Sequence, residues 1–220
     1  MSNMQLDTLR RIVQEINASV SLHDSLDIMV NHVAEAMHVD VCSIYLLDER
    51  NKRYVLMASK GLKPEAVGHV SLSVGEGLVG LVGKREEIVN LDNAPKHERF
   101  AYLPETGEEL FNSFLGVPVM YRRKVMGVLV VQNKESQDFS EAAESFLVTL
   151  CAQLSGVIAH AHAVGNIDVF RKPTSGSSYK TFQGVSGAGG IALGRAIVPY
   201  PPADLAAIPD REAEDISDEL

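Results

Sequence analysis

Apolar positions along this chain follow two periods, and the switches between them mark out its elements. Leu6, Leu9, Val13, Ile16 and Val20 recur at steps of three and four, a heptad-like seam that predicts a first helix over roughly 4–20. Ser21 and Asp24 form an S-x-x-D helix-start signature. The second helix, about 22–38, carries Leu22, Leu26, Met29, Val33 and Met37 on one face. Three strand-like runs follow at 40–48, 53–60 and 68–74, the first two joined as a hairpin by the polar turn Glu49-Arg50-Asn51-Lys52. Gly75-Glu76-Gly77 opens a short helix, 76–84, and Ile88-Val89-Asn90 reads as a brief strand.

From Leu91 to Asn112 the chain turns polar, a length of loop that in compact domains is usually a functional cover or a disordered segment. Ser113–Lys134, SFLGVPVMYRRKVMGVLVVQNK, then reads as two strands joined at Arg122-Arg123-Lys124. Both arms are nearly continuous apolar runs, as expected of strands covered on both faces. Gly116 and Gly127 interrupt them, and a glycine within a strand marks a place where something approaches the backbone closely. A last helix, about Ser140 to Ala163, repeats the seam with Ala143, Leu147, Leu150, Leu154, Val157 and Ala161. Two terminal helices with matching seams suggest a pair that packs across a dimer two-fold; equally, each stripe could cover its own sheet. The expected architecture is α+β: a central antiparallel sheet of about six strands, terminal helices on one face and a ligand pocket under loops on the other.

Beyond Gly165 the pattern dissolves. Arg171–Lys180, RKPTSGSSYK, is linker-like, and TFQGVSGAGGIALGRAIVPY returns to strand composition before an acidic tail, DREAEDISDEL. The organisation expected is a domain at 1–165, a linker at 166–183, and the opening piece of a second domain at 184–220, disordered on its own because it is too small to bury a core. The chain therefore reads as the front end of a longer protein. A formal net charge of −9 argues against nucleic acid and anionic membrane as partners, since both demand clustered Lys and Arg. Cys42 and Cys151 sit among apolar neighbours, which suits buried thiols in a reducing cytoplasm. No apolar run suggests a bilayer span.

The stretches CSIYLLD (42–48), VGEGLVGLVG (74–83) and the 113–134 hairpin, in this element order, resemble a GAF domain. More narrowly, NAPKHERFAYLPETGEELFNSFLGVPV (93–119) and SEAAESFLVTLCAQLSGVI (140–158) are similar to the N-terminal domain of the nitrogen-type Enzyme I family of phosphoenolpyruvate–protein phosphotransferases. GVSGAGGIALGRA (184–196) resembles the glycine-rich opening strand of that family's phosphohistidine domain. The resemblance implies a sensor of glutamine, with 2-oxoglutarate as an opposing signal, and a phosphocarrier protein of the nitrogen branch as partner of the full-length enzyme. It also implies magnesium for that enzyme, and no cofactor for this piece. The family's phosphorylated histidine follows a serine; no Ser-His pair occurs here, so no catalysis is expected from these residues.

Other chemistries fit poorly. The glycines at 184–194 do not follow phosphate-loop spacing, and the seven histidines show no paired ligand spacing for a metal. Cyclic-nucleotide-binding GAF relatives carry an Asn-Lys…Phe…Asp-Glu signature; Asn133, Lys134, Phe139 and Glu144 match it, but Ala143 stands where the Asp belongs. The candidate pocket is built from strand parity and loop position. Ser43 and Tyr45 share one face of the first strand, while Phe114 and Gly116 lie together on another. Free N–H groups near Gly77 and Leu78 would suit a carboxylate. Asn90, Asp92, His97, Arg99 and Phe100 would close over it, Arg99 being the candidate cation. In the plainer alternative, the aromatics pin the loop, Arg99 and His97 face water, and the domain is a ligand-free dimerisation module.

Overall fold

A computed structural model describes residues 3–101, 106 and 111–164, with side chains from residue 7 onward. The expected linker at 166–183 and the segment 184–220 lie outside the described residues, as does most of 102–110.

Two helices come first, α1 (Asn3–Ala18) and α2 (Leu22–Met37). Ser21 caps α2: its Oγ accepts from the Asp24 N–H at 3.1 Å, and its hydroxyl donates to the Asp24 carboxylate at 2.8 Å. His38, at φ 52°, ends that helix in the left-handed region. His32 Nε2 lies 2.6 Å from the Glu15 carboxylate and ties α2 to α1. The remaining elements are β1 (Val41–Asp48), β2 (Arg53–Lys60), β3 (Ser71–Ser73), α3 (Gly77–Arg85), β4 (Val89–Leu91), β5 (Ser113–Tyr121), β6 (Lys124–Asn133) and α4 (Glu141–Ala163). The third expected strand is shorter than its apolar pattern, because Leu56 meets that segment outside regular pairing: its N–H donates to Val70 O, and its carbonyl accepts from the Gly68 N–H.

All six strands form one antiparallel sheet in the order β3-β2-β1-β6-β5-β4. Side-chain alternation splits the interior into two cores. Cys42, Ile44 and Leu46 of β1, Leu115 and Val117 of β5, and Leu129 and Val131 of β6 meet α1, α2 and α4. On the opposite face Tyr45, Tyr54, Leu56, Phe114, Val128 and Val130 meet α3, which crosses from the β3 edge towards β4.

α4 settles where its seam points. Leu147, Leu150, Leu154 and Ile158 are all 0% exposed against the molecule's own sheet. This helix is long and apolar enough to span a bilayer by length and composition, contrary to the expectation that no segment is, but its buried stripe is part of the core. In α1 the buried positions are Ile12 and Ile16; Val20, the last residue of the expected seam, lies beyond the helix and is 93% exposed.

Each strand glycine admits a neighbouring part of the protein itself. A Cβ on Gly116 would lie 2.7 Å from Val82 of α3 and 2.8 Å from the Phe114 ring, so this glycine is what allows helix and sheet to close. At Gly127 the intruding group would be the Tyr45 carbonyl of β1. The β5–β6 turn places Arg122 and Arg123 at φ 48° and 65°, a geometry usually given to Asn-Gly, with the Arg122 guanidinium 5.4 Å from the Tyr121 ring centre.

Candidate functional site

Where α3 begins, the helix-free face holds a cavity of about 20 Å³, lined by Leu72, Gly77, Leu78, Val79, Phe100, Ala101, Phe114 and Gln132. A volume of that order holds one water. The roomy hollow expected from the sequence is therefore almost filled by the protein's own side chains, with Phe100 and Ala101 as part of its cover.

One wall is the start of α3. Gly77 opens the helix at φ 64°, a conformation that favours glycine. The N-cap residue, Glu76, gives the helix no side-chain cap; its carboxylate accepts from the Ser73 N–H at 2.8 Å instead. The first-turn N–H groups have no acceptor within the helix, by its geometry, and the residues that carry them line the cavity. The floor is β6. Val128, Val130 and Gln132 alternate onto this face, and Gln132 is 3% exposed with its Oε1 lacking a hydrogen-bond partner among the described residues.

The eleven candidate residues divide on this geometry. Gly77, Leu78, Phe100 and Phe114 come together around the cavity. Gly116 lies on the same sheet face but is occupied by Val82, as described. Ser43 shares the face and spends its hydroxyl on Ser59, 2.8 Å away on β2. Tyr45 is buried in the core beneath α3 without lining the cavity.

Asn90 points to the helix layer: its Nδ2 donates to Phe139 O and to Glu144 Oε1, each at 2.8 Å, and its Oδ1 accepts from the Phe139 N–H at 3.2 Å. Asp92 is exposed, and its carbonyl accepts from Ser136 Oγ. His97 Nδ1 accepts from the Arg99 N–H, and the Arg99 side chain is exposed. The expected cation is thus absent from the cavity wall. Leu72, Val79, Ala101 and Gln132 were not foreseen. Gln132 had a readable signal, a single amide breaking the apolar run VLVVQ at the parity of the pocket face.

The residues that match the cyclic-nucleotide signature form a latch, and Asn133, Phe139 and Ala143 also line an open hollow between the end of α2 and the start of α4. Asn133 Oδ1 accepts from the Asp40 N–H at 2.9 Å, Asp40 accepts from the Lys134 N–H at 2.8 Å, and Phe139 and Glu144 are both held by Asn90. Burial pushes the thiols of Cys42 and Cys151 up, which keeps them protonated and unreactive. No cluster of metal-ligating side chains occurs among the described residues.

Comparison with known proteins agrees with this architecture. The chain is 84% identical to the GAF domain of an Acinetobacter phosphoenolpyruvate-protein phosphotransferase, covering 76% of this chain and 99% of that one with a TM-score of 0.69. The corresponding GAF domain from Coxiella burnetii is 44% identical, covering 75% of this chain and 99% of that one, with a TM-score of 0.72. Over 167 residues this chain is 41% identical to the phosphoenolpyruvate-dependent phosphotransferase system protein of Salmonella typhimurium, an alignment covering 76% of this chain. The chain spans only 22% of the length of that relative. The GAF domain profile matches residues 21–158, from the cap of α2 through most of α4, and the chain belongs to the GAF domain family.

Proposed function

We propose that this chain is the small-molecule-sensing front domain of a nitrogen-related phosphoenolpyruvate–protein phosphotransferase in the cytoplasm. Residues 1–165 form the sensor, 166–183 a linker, and 184–220 the start of the phosphohistidine domain. Glutamine, 2-oxoglutarate or both are its effectors, and a phosphocarrier protein is the downstream partner of the whole enzyme. The observation that supports this most directly is the 84% identity to a GAF domain that belongs to such a phosphotransferase. Within the fold, the uncapped start of α3 beside a covered cavity supports a sensing role, because it offers donors to an anionic group.

The cavity as it stands has room for about one water, so an effector must lift the cover at Phe100–Ala101. Binding then biases a two-state cover, and only through unequal affinity for its open and closed forms. Titration calorimetry of the 220-residue chain with glutamine and with 2-oxoglutarate tests this: saturable heat supports the sensor, and no heat from either at millimolar concentration removes it.

A ligand-free dimerisation module is the second reading, favoured by a different observation. Val148, Ala152, Gly156, Ala159 and Ala163 recur every three or four residues on the side of α4 away from the sheet, and all but Ala159 are exposed. Small residues on one helix face permit close approach of a second helix.

A further inference from the structure

We propose that the turn end of the sheet is a docking face for an acidic protein surface. β1 and β6 lie side by side and antiparallel, so the β1–β2 turn and the β5–β6 turn project from the same end. Together they present Lys52, Arg53, Arg122, Arg123 and Lys124, all exposed. Lys84, in the last turn of α3, joins them. Its Cδ lies 3.8 Å from where a Cβ on Gly75 would stand, and the adjacent Val74 N–H donates to Lys52 O at 3.1 Å. A chain of formal net charge −9 thus gathers positive charge at one end. Among the described residues, none of these cations has an ion-pair partner within 4.0 Å.

Backbone conformation is a second, independent observation. Lys52, Arg122 and Arg123 have φ of 54°, 48° and 65°. A residue with a Cβ enters this left-handed region at a cost, and hairpin turns there ordinarily carry Asn or Gly. Cations hold all three places instead. Turn formation alone does not account for that choice, and backbone strain of this kind concentrates where a side chain serves function. Arg122 is also pre-positioned, with its guanidinium 5.4 Å from the Tyr121 ring centre.

The arrangement discriminates among anions. From β2 to β5 the cations span three strand spacings, about 15 Å across an open edge, which is too wide for one small anion. Glu49 in the first turn and Glu86 at the end of α3 are exposed carboxylates at the same end. The uniform negative charge of a nucleic-acid backbone or an anionic bilayer is repelled by these groups and by the net charge of the chain. A protein face can set its own cations opposite them. Val74, 47% exposed beside Lys52, adds the apolar contact that protein–protein interfaces use at their centre.

Fluorescence anisotropy with the full 220-residue chain tests the proposal, using a labelled peptide of Glu-Glu-Val-Gly repeats as probe. The wild type should bind it saturably at low salt and more weakly at about 0.15 M, and should ignore the Gln-Gln-Val-Gly counterpart. Arg122→Asn with Arg123→Gly installs the residues that the turn prefers and removes both charges. That variant should lose at least about fivefold in affinity while melting no lower than wild type. Lys52→Asn, in the neighbouring turn, should weaken binding in the same direction. Lys60→Gln with Lys96→Gln removes two exposed charges from the other end of the sheet, and should stay within about twofold of wild type. A wild type that binds neither peptide, or both equally, overturns the proposal. So does equal weakening by the two double variants, which would reduce the effect to net charge. Tighter binding of a DNA duplex or of phosphatidylserine vesicles than of the acidic peptide would assign the face to another class of partner and overturn it too. If the Asn-Gly variant fails to fold, Lys52→Asn against the Lys60 and Lys96 control decides.

Discussion

Asp48 closes the β1–β2 turn with both carboxylate oxygens. Its Oδ1 accepts from the N–H groups of Arg50 and Asn51 at 3.0 and 3.1 Å, and Oδ2 accepts from Asn51 Nδ2 at 2.6 Å. Partial burial pushes the carboxyl up, but these donors and the Arg50 charge outweigh it and hold Asp48 below its ordinary 3.8. Because the folded value is depressed, the stabilisation is complete above the unfolded value and fades as pH falls through the folded one. Asp48→Asn should cost about 1 kcal/mol at neutral pH, and its denaturation curve should converge on that of the wild type below about pH 4. A gap that stays constant from pH 7 to acid would show that the charge contributes nothing.

At this scale the sequence was informative about local chemistry and poor about direction. The turn and the Ser21 cap were readable because their partners lie within three residues. Gly116 announced a close approach without saying of what; Val82 arrives from an element more than thirty positions away. Asn90 failed for a sharper reason. In a three-residue strand with one face to each core, a shift of a single position exchanges faces, and Asn90 lies between the inward Val89 and Leu91.

Between elements, the decisive contact is the one Asn90 makes instead. β4 is an edge strand of three residues, paired with β5 through only Val89, Asn90 and Leu91. Besides that pairing and the burial of Val89 and Leu91, it is tied to the helix layer by the three-bond clamp to Phe139 and Glu144 at the entry of α4. Asn90→Ala should therefore destabilise the domain by about 1–3 kcal/mol, while glutamine affinity corrected for the unfolded fraction stays at the wild-type value. Urea denaturation and calorimetry on the same sample measure both; a large loss of affinity in a folded variant would return Asn90 to the binding site. Helices and the β5–β6 hairpin were legible as elements because their periods are long and unbroken. What covers an apolar stripe was not, since heptad spacing reports a seam without naming its partner. The α4 seam at Leu147, Leu150 and Leu154 meets the sheet of its own subunit.

For the molecule as a whole, a subunit interface must be sought on the opposite side of α4. The two faces of that helix make distinct predictions. Leu154 is 0% exposed, so Leu154→Asp buries an unpaired charge and should unfold the domain whatever its oligomeric state. Ala152 is exposed in the middle of the small-residue stripe, so Ala152→Glu leaves the monomer fold intact. If two copies pair along this stripe about a two-fold axis near its middle, residues close to the axis, Ala152 among them, lie near their own counterparts, and the new glutamates repel one another across it. Light scattering should then show a dimer for wild type and a monomer for Ala152→Glu, with the calorimetric response to glutamine retained. Wild-type monomers at micromolar concentration, or dimers unaffected by the charge, would eliminate this interface. The stripe runs to Ala163 at the end of α4, so subunit pairing would fix the separation of the two chains where each leaves the sensor. Lifting of the Phe100–Ala101 cover could then be felt beyond the domain only if it alters β5 and β6, which carry Phe114 and Gln132 on the cavity side and pack against α4 through Val117 and Leu129 on the other.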